Sequence, residues 1–356
     1  MLFRSDSNAQ GANQVLHLYQ DERVLGILPF FHSFGFTVTL ALPAALGAGV
    51  VFHANPLDTR AIGTLVRENK VTLLMATPTF LQLYLRGVAR EDFGSLQLII
   101  TGAEKLPERL AAAFEEHFGI RPLEGYGTTE CGPAVAVNIM DFRAAGYHQV
   151  GGKRGKIGRP LPGMMARIAD AENPWSDKKV PVGEPGMLLV RGPNIMRGYL
   201  GQPEKTAQVF IGNPSPHRMG RGQGEGAWYV TGDIAQFDED GFLQITGRLS
   251  RFSKIGGEMV PHLKIEEKLQ EVSGVAEIFF VVMGVPDEKK GERLVVLHRL
   301  AENDLPACLE KFAASDLPNL WKPKADAFYR VESFPMLGTG KLDLRGVKEM
   351  AAKLAG

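Results

Sequence analysis

Tyr229 to Glu258 reads YVTGDIAQFDEDGFLQITGRLSRFSKIGGE, and its punctuation decides how the rest of the chain is read. Phe237-Asp238-Glu239-Asp240-Gly241-Phe242 predicts strand, acidic turn, strand, because Asp-Gly supplies the positive φ of a tight hairpin. Such a hairpin carries Asp233 and Arg248 toward the same end of a small sheet. A carboxylate accepts two hydrogen bonds from a vicinal diol, and a guanidinium donates to the same sugar or its phosphate. The pair is a candidate ribose clamp, set just ahead of a basic, glycine-rich loop. An Asp-Gly turn alone is more often a solvated surface hairpin. TGD, GR and the GGE loop in one register favour the site.

Upstream, apolar strands alternate with helices. The pattern predicts a helix over Asp6–Gln20, then strands at Val24–Leu28 and Val50–His53 flanking a helix at Phe34–Leu46. A helix at Thr59–Asn69, a strand at Thr72–Ala76, a helix at Thr79–Arg86, a strand at Leu96–Thr101 and a helix at Pro107–Phe118 follow. This order implies an α/β fold with a mostly parallel sheet and helices on both faces. Ligands of such sheets sit outside the carboxyl ends of the strands. Two motifs fall there. Gly102-Ala103-Glu104 follows one strand, and Tyr126-Gly127-Thr128-Thr129-Glu130 follows a short strand at Pro122–Gly125. An aromatic ring stacks on a purine, hydroxyls donate to phosphate, and a carboxylate holds Mg²⁺.

From Gly155 to Thr246 helical periods give way to short strands between Pro/Gly turns, which predicts an antiparallel β subdomain. Within it, Tyr199 reads as a packing residue. Beyond Arg248 a small α+β unit is expected. It has a helix at Ile265–Gln270, a strand at Val275–Met283, a turn at Val285-Pro286-Asp287 and a strand at Arg293–Leu297. A helix at Ala307–Ala314 and a strand at Phe328–Val331 complete it. Lys341 closes the run Gly338-Thr339-Gly340-Lys341, where a lysine on a glycine-rich loop can reach an anion.

The 356 residues allow more than one domain, and 40 basic against 40 acidic residues argue against nucleic acid as a partner. The two cysteines, Cys131 and Cys308, form no CxxC. That excludes a cysteine zinc site and fits a reducing, cytoplasmic compartment. Val24 to Phe52 carries no charged Asp, Glu, Lys or Arg and is long enough to span a bilayer. Pro29, His32 and Pro43 break it, so it reads as strand, loop, buried helix and strand.

Together the TGD, GR, YGTTE, GAE and GTGK motifs, with Leu28-Pro29-Phe30-Phe31-His32-Ser33, resemble those of the adenylate-forming (AMP-binding) acyl-CoA synthetase superfamily. The resemblance runs from about residue 20 to 345. It implies a partial large domain over residues 1–249, comprising an α/β part (1–154) and a β subdomain (155–249), and a C-terminal lid domain over 250–356. It implies ATP and Mg²⁺ as cofactors, with a fatty carboxylate activated as its acyl-adenylate and passed to a phosphopantetheine thiol. The catalytic set it implies is Lys341, Thr128, Glu130 and His32. His32 would lie between the acyl and nucleotide sites, and Glu130 would hold the metal. Gly102, Ala103 and Glu104 would line adenine, with Tyr126 and Gly127 beside it and Thr129 on phosphate. Asp233 and Arg248 would hold ribose. Gly256 and Gly257 would enter for the thiol step after the small domain turns about Ser250.

Lys254–Pro261 and Asp316–Lys324 look most like the acyl-[acyl-carrier-protein] synthetase / 2-acylglycerophosphoethanolamine acyltransferase branch. Ser250, where most relatives have Asp or Lys, and Lys264, where many have Glu, depart from the common pattern. That branch favours acyl-carrier protein as acceptor, with CoA as the alternative. It also implies a fused acyltransferase upstream and a peripheral place at the inner membrane for the parent protein. The family's Ser/Thr/Gly-rich phosphate loop does not occur in residues 1–27. The expectation is therefore an N-terminally shortened chain, with a non-catalytic nucleotide- or acyl-binding module as the alternative function.

Overall fold

Alternation of apolar side chains along short parallel strands builds the first core of this computed structural model. The structure describes residues 2–212, 227–256, 258–275, 279–287, 291–336 and 342–356. The chain forms two compact units, Met1–Thr246 and Gly247–Gly356.

The first unit opens with α1 (Leu2–Leu16) and β1 (Arg23–Gly26). A helical run follows as α2 (Ser33–Phe36), a π turn at Thr37–Ala41 and α3 (Leu42–Leu46), leading to β2 (Gly49–Phe52). Then come α4 (Thr59–Asn69), β3 (Leu73–Ala76), α5 (Pro78–Gly87), β4 (Leu98–Thr101), α6 (Glu108–Phe118), β5 (Leu123–Gly127) and β6 (Ala134–Val137). A small exposed hairpin, β7 (Phe142–Ala144) and β8 (Tyr147–Gln149), precedes β9 (Arg159–Pro160). The main sheet runs β2-β1-β3-β4-β5-β6-β9. Its first five strands are parallel, and β6 and β9 add antiparallel at one end.

Side chains of successive strand residues face opposite ways. Leu25, Leu74 and Ile99 pack with Ile62, Val66, Leu81 and Phe114 of α4 to α6. Val24, Leu73, Met75 and Ile100 join the other cluster, with Ala9, Val38 and Leu42 from α1 to α3. Each such buried aliphatic chain contributes about 1.5–3 kcal/mol, so helices cover both faces, as the sequence predicts.

The apolar stretch from Val24 to Phe52 is β1, a loop, the broken helix and β2. Among the described residues no helix is long and apolar enough to cross a membrane. The first helix starts and ends earlier than predicted. Asn13 Oδ1 accepts from Leu18 N at 3.0 Å, and the Asn13 carbonyl from His17 N, which closes the helix before Gln20.

The β subdomain holds β10 (Met165–Ala169), β11 (Gly186–Arg191), α7 (Pro203–Ala207), β12 (Phe210–Ile211), β13 (Trp228–Phe237) and β14 (Leu243–Arg248). The order is β10-β11-β13-β12, with β14 on β13. The acidic turn between β13 and β14 forms as predicted. Asp238 Oδ1 accepts from Asp240 N and Phe242 N, and Gly241 takes φ 76°.

The second unit contains β15 (Phe252–Ile255), β16 (Glu258–Pro261), α8 (His262–Ser273), β17 (Phe280–Asp287), β18 (Gly291–His298), α9 (Leu305–Ala313), β19 (Phe328–Arg330) and α10 (Leu344–Ala355). Its sheet runs β16-β15-β18-β17, with β19 parallel to β18. Val282 and Val296 meet Ile265, Leu269 and Phe312 of α8 and α9 on one face. Val281, Met283 and Val295 meet Val347 and Ala351 of α10 on the other. The predicted turn at Val285–Asp287 is instead strand, because those residues pair with Gly291–Arg293 in an extended hairpin. Pro286 fits there since β17 lies at the sheet edge, where no neighbour needs its missing N–H.

Candidate active site

β4 and β5 are hydrogen-bonded neighbours, so the loops that follow them share one end of the sheet. After β4, Gly102 is buried and Ala103 takes a left-handed φ of 70°. Glu104 Oε2 accepts from Thr79 Oγ1 at 2.8 Å, which ties this turn to the start of α5. At the end of β5, Tyr126 to Glu130 lead sharply into a short 3₁₀ helix at Thr129–Cys131. Gly127 is needed in that turn: a Cβ there would lie 2.1 Å from the Pro133 carbonyl oxygen. The close approach lets Thr128 N donate to that same oxygen at 3.0 Å.

The side chains of this loop have defined partners. Thr128 Oγ1 donates to Cys131 Sγ at 3.2 Å. Burial pushes the Cys131 thiol up to about 12. Ser33 Oγ donates to Thr129 Oγ1 at 3.3 Å, so the loop after β1 touches the loop after β5. His32 caps α2, its Nδ1 accepting from Phe34 N at 3.2 Å. Glu130 Oε1 accepts from the Tyr199 hydroxyl at 3.0 Å. Tyr199 therefore does more than pack, the role its sequence context suggested. Its partner lies 69 residues earlier, a relation no local pattern carries.

Asp233 comes to the same loop from β13. Gly232 takes φ 77°, and Thr231 Oγ1 bridges it, donating to the Leu188 carbonyl at 2.8 Å and accepting from Asp233 N at 3.1 Å. This kink aims the buried Asp233 carboxylate, whose Oδ2 accepts from the Tyr126 hydroxyl. Burial first, and then the Asp233 charge, hold the Tyr126 phenol well above its ordinary range, so it stays a donor. The structure thus brings His32, Tyr126, Thr128, Thr129, Glu130 and Asp233 into one connected set at the strand ends, with Gly102–Glu104 on the neighbouring strand's loop.

Other predicted residues lie in the second unit. Arg248 ends β14 and is exposed, and Ser250 sits in an exposed 3₁₀ turn at Leu249–Arg251. Gly256 follows β15 with φ 58° and open space where a Cβ would be. Gly257 and Lys341 lie outside the described residues.

Three residues of this set were not legible in the sequence. Arg4 of α1 donates to the carbonyls of Asn194 and Glu130, both at 2.8 Å. Asn8 clasps the Ala134 backbone, donating to its carbonyl at 2.7 Å and accepting from its N–H at 3.2 Å. Asn194 donates to the Cys131 carbonyl at 2.7 Å. Together they fix the far side of the 3₁₀ helix. Arg4 and Asn8 lie among several other polar residues of α1, and Asn194 in a loop, so no local pattern set them apart.

A divalent ion fits the donor set. Among the described residues no three His, Cys, Asp or Glu side chains cluster. Mg²⁺ characteristically takes one or two carboxylates and completes its octahedron with phosphates and water. Glu130, flanked by the Thr128 and Thr129 hydroxyls, is such a partial set.

The chain is similar to known proteins over nearly all of its length. A long-chain-fatty-acid–CoA ligase of Bacillus subtilis (strain 168) is 32% identical over 92% of this chain and 54% of its own length. The chain spans about half of that curated relative. The solved anthranilate CoA ligase AuaEII in complex with anthranoyl-AMP matches with TM-score 0.75 and 26% identity, over 99% of this chain and 63% of that one. ATP-bound MatB from Rhodopseudomonas palustris shares the fold, with TM-score 0.81 and 24% identity, over 99% of this chain and 65% of that one. The AMP-binding enzyme family matches residues 5–200, and its C-terminal domain matches residues 264–341. This chain belongs to the AMP-binding enzyme family.

Proposed function

We propose that the protein is an ATP-dependent ligase that activates a long-chain fatty acid as its acyl-adenylate and passes the acyl group to a phosphopantetheine thiol. The observation that carries this is the Tyr126–Asp233 contact beside Glu130. A buried carboxylate holding a hydroxyl is suited to a ribose diol, and Glu130 lies four residues from the ring that would meet the base.

In the first step a carboxylate oxygen of the fatty acid attacks the α-phosphorus of ATP, a P–O bond forms, and pyrophosphate leaves. The protein's part is positioning and charge stabilisation. Tyr126 stacks on adenine, with Gly102, Ala103, Glu104 and Gly127 beside it. Asp233 and Arg248 hold the ribose hydroxyls, and Thr128 and Thr129 donate to phosphate. Glu130 would hold Mg²⁺, which supplies neutralisation of the phosphate charge when bound. Lys341 meets the carboxylate and phosphate oxygens. His32 borders the acyl group. In the second step a thiolate attacks the acyl carbon, AMP leaves with the electron pair of the C–O bond, and Gly256 and Gly257 line the approach of the thiol. A small domain turning about Ser250 exchanges Lys341 for these glycines. No enzyme nucleophile is required.

Acyl-carrier protein is the favoured acceptor, on the likeness of Lys254–Pro261 and Asp316–Lys324 to the acyl-[acyl-carrier-protein] synthetase branch. CoA is the second reading, favoured by the likeness to the Bacillus long-chain-fatty-acid–CoA ligase. A fused acyltransferase and a peripheral membrane location belong to the first reading. The test is ATP–pyrophosphate exchange by the full-length protein with fatty acids of graded length, followed by acyl transfer to either thiol. Fatty-acid-dependent exchange is expected. Its absence at every chain length overturns the function, and transfer to CoA alone overturns the carrier-protein preference.

A further inference from the structure

Glu130 is held from three directions, and one of them has no place in the scheme above. Its carbonyl accepts from Met196 N at 2.7 Å and from Arg4 Nη2 at 2.8 Å, which fixes the backbone. Its carboxylate accepts from the Tyr199 hydroxyl at 3.0 Å. Behind Tyr199 stands the buried Tyr229 of β13, whose phenol is electrostatically coupled to that of Tyr199. The ammonium of Lys205 lies 4.7 Å from the Tyr199 ring centroid. Tyr199 itself is anchored: its N–H donates to Thr206 Oγ1 at 2.9 Å, and its carbonyl accepts from Gln202 N at 3.1 Å.

We propose that Tyr199, backed by Tyr229, is the positioning residue that orients the Glu130 carboxylate toward a divalent cation accompanying the nucleotide phosphates. This rests on the reading that Glu130 meets that cation. A donor on Oε1 fixes the carboxylate plane and leaves Oε2 directed away from the phenol. Among the described residues no other side chain hydrogen bonds this carboxylate. A metal-ligating carboxylate gains affinity from such outer partners, whose loss typically costs about 10–100-fold in metal affinity. The tyrosine pair also links the Glu130 loop to β13, the strand that presents Asp233, so cation and ribose contacts share one scaffold.

The test uses Mn²⁺ as the probe. Its binding in the presence of ATP, without fatty acid, is followed by loss of the free-ion electron paramagnetic resonance signal, and ATP affinity in chelator is measured by calorimetry. Tyr199→Phe keeps the ring and removes the donor. It should weaken Mn²⁺ binding about tenfold, leave metal-free ATP affinity within about twofold of wild type, and add nothing in a Glu130→Gln background. Should Tyr199→Phe fold poorly, Tyr229→Phe keeps the Tyr199–Glu130 contact and should give a smaller loss, about threefold. Unchanged Mn²⁺ affinity in both variants overturns the positioning role while leaving the ligase reading intact. An equal fall in metal-free ATP affinity also overturns it, because the tyrosine would then only brace the loop. If the wild-type protein binds ATP with no metal dependence, the cation site fails, and this proposal with it.

Discussion

Two acidic side chains, one in each unit, are taken out of water in different ways. Asp233 is 5% exposed and accepts from a neutral phenol, Tyr126. Glu266 in α8 has a side chain 15% exposed and accepts from the Arg251 guanidinium at 2.5 Å and from Val282 N at 2.5 Å. Burial raises the Glu266 carboxyl, and the Arg251 charge opposes that rise. A neutral donor can be exchanged for a ligand hydroxyl at small cost. A guanidinium cannot leave without stranding a charge. On the proposed reading, the contrast separates a carboxylate that meets a ligand from one committed to the fold, although both read as acidic residues flanked by apolar ones.

The largest effect should come from breaking the committed pair. Arg251→Ala leaves Glu266 without its countercharge and should destabilise the chain by about 3–5 kcal/mol, read by urea unfolding. Replacing both partners, Arg251→Met with Glu266→Leu, should recover most of the loss, since the pair competes with a well-packed apolar substitute. A single-variant loss below about 1 kcal/mol, the range of surface pairs, would place Arg251 and Glu266 in the exchangeable class and erase the contrast.

Next in size is a charge proposed to serve the chemistry. Lys341→Ala in the full-length protein should slow acyl-adenylate formation a hundredfold or more, about 2–4 kcal/mol. Transfer from supplied acyl-adenylate should be largely spared. Equal loss in both half-reactions contradicts the assigned role. Stability should stay near wild type, in contrast with Arg251→Ala.

What could be seen in the sequence divides along the same line as these charges. The helix Thr59–Asn69 was readable to its last residue because its signals are local. Asp58 caps it by accepting from Ala61 N, and Lys70 ends it in the left-handed region. The TGD and YGTTE loops were readable because a needed glycine marks each, Gly232 for its positive φ and Gly127 for a close backbone approach. The turn assigned to Val285–Asp287 failed because a Pro-Asp pair looks the same in a turn and at a sheet edge. Tyr199, Arg4 and Asn194 were invisible as site residues because their partners are 69, 126 and 63 residues away. Local chemistry names the groups proposed to meet a ligand, whereas the groups that hold them in place are set by packing.

Asp233→Asn sharpens the comparison from the ligand side. The amide oxygen can still accept from Tyr126, so thermal stability should change by less than about 1 kcal/mol. ATP affinity should fall by about tenfold to a hundredfold, the cost of losing charge-assisted hydrogen bonds of about 1.5–3 kcal/mol. A melting temperature lowered in the absence of nucleotide, by as much as Arg251→Ala lowers it, would show Asp233 to be structural.

The smallest predicted effect concerns a second buried group of the committed kind. His262 is 2% exposed, with Ser253 Oγ 2.8 Å from its Nε2. Burial, helped by the charges of Arg251 and Lys348, pushes its pKa from 6.5 down to about 3. In the unfolded chain the ring takes up a proton as pH falls below about 6.5, while in the folded chain it stays neutral. Unfolding therefore binds a proton in that window, and stability falls as pH drops. The contribution is complete above the unfolded value, declines by at most about 1.4 kcal/mol per pH unit below it, and stops declining near pH 3. Glu266, whose carboxyl is raised, acts in the opposite sense, so the measurement must be a difference. Wild type should lose about 1.2 kcal/mol more than His262→Gln between pH 7 and 5.5, by urea unfolding at each pH. Parallel pH dependences would mean that water reaches the His262 ring in the folded state. The second unit would then hold a titrating group as loosely as the first is proposed to hold Asp233.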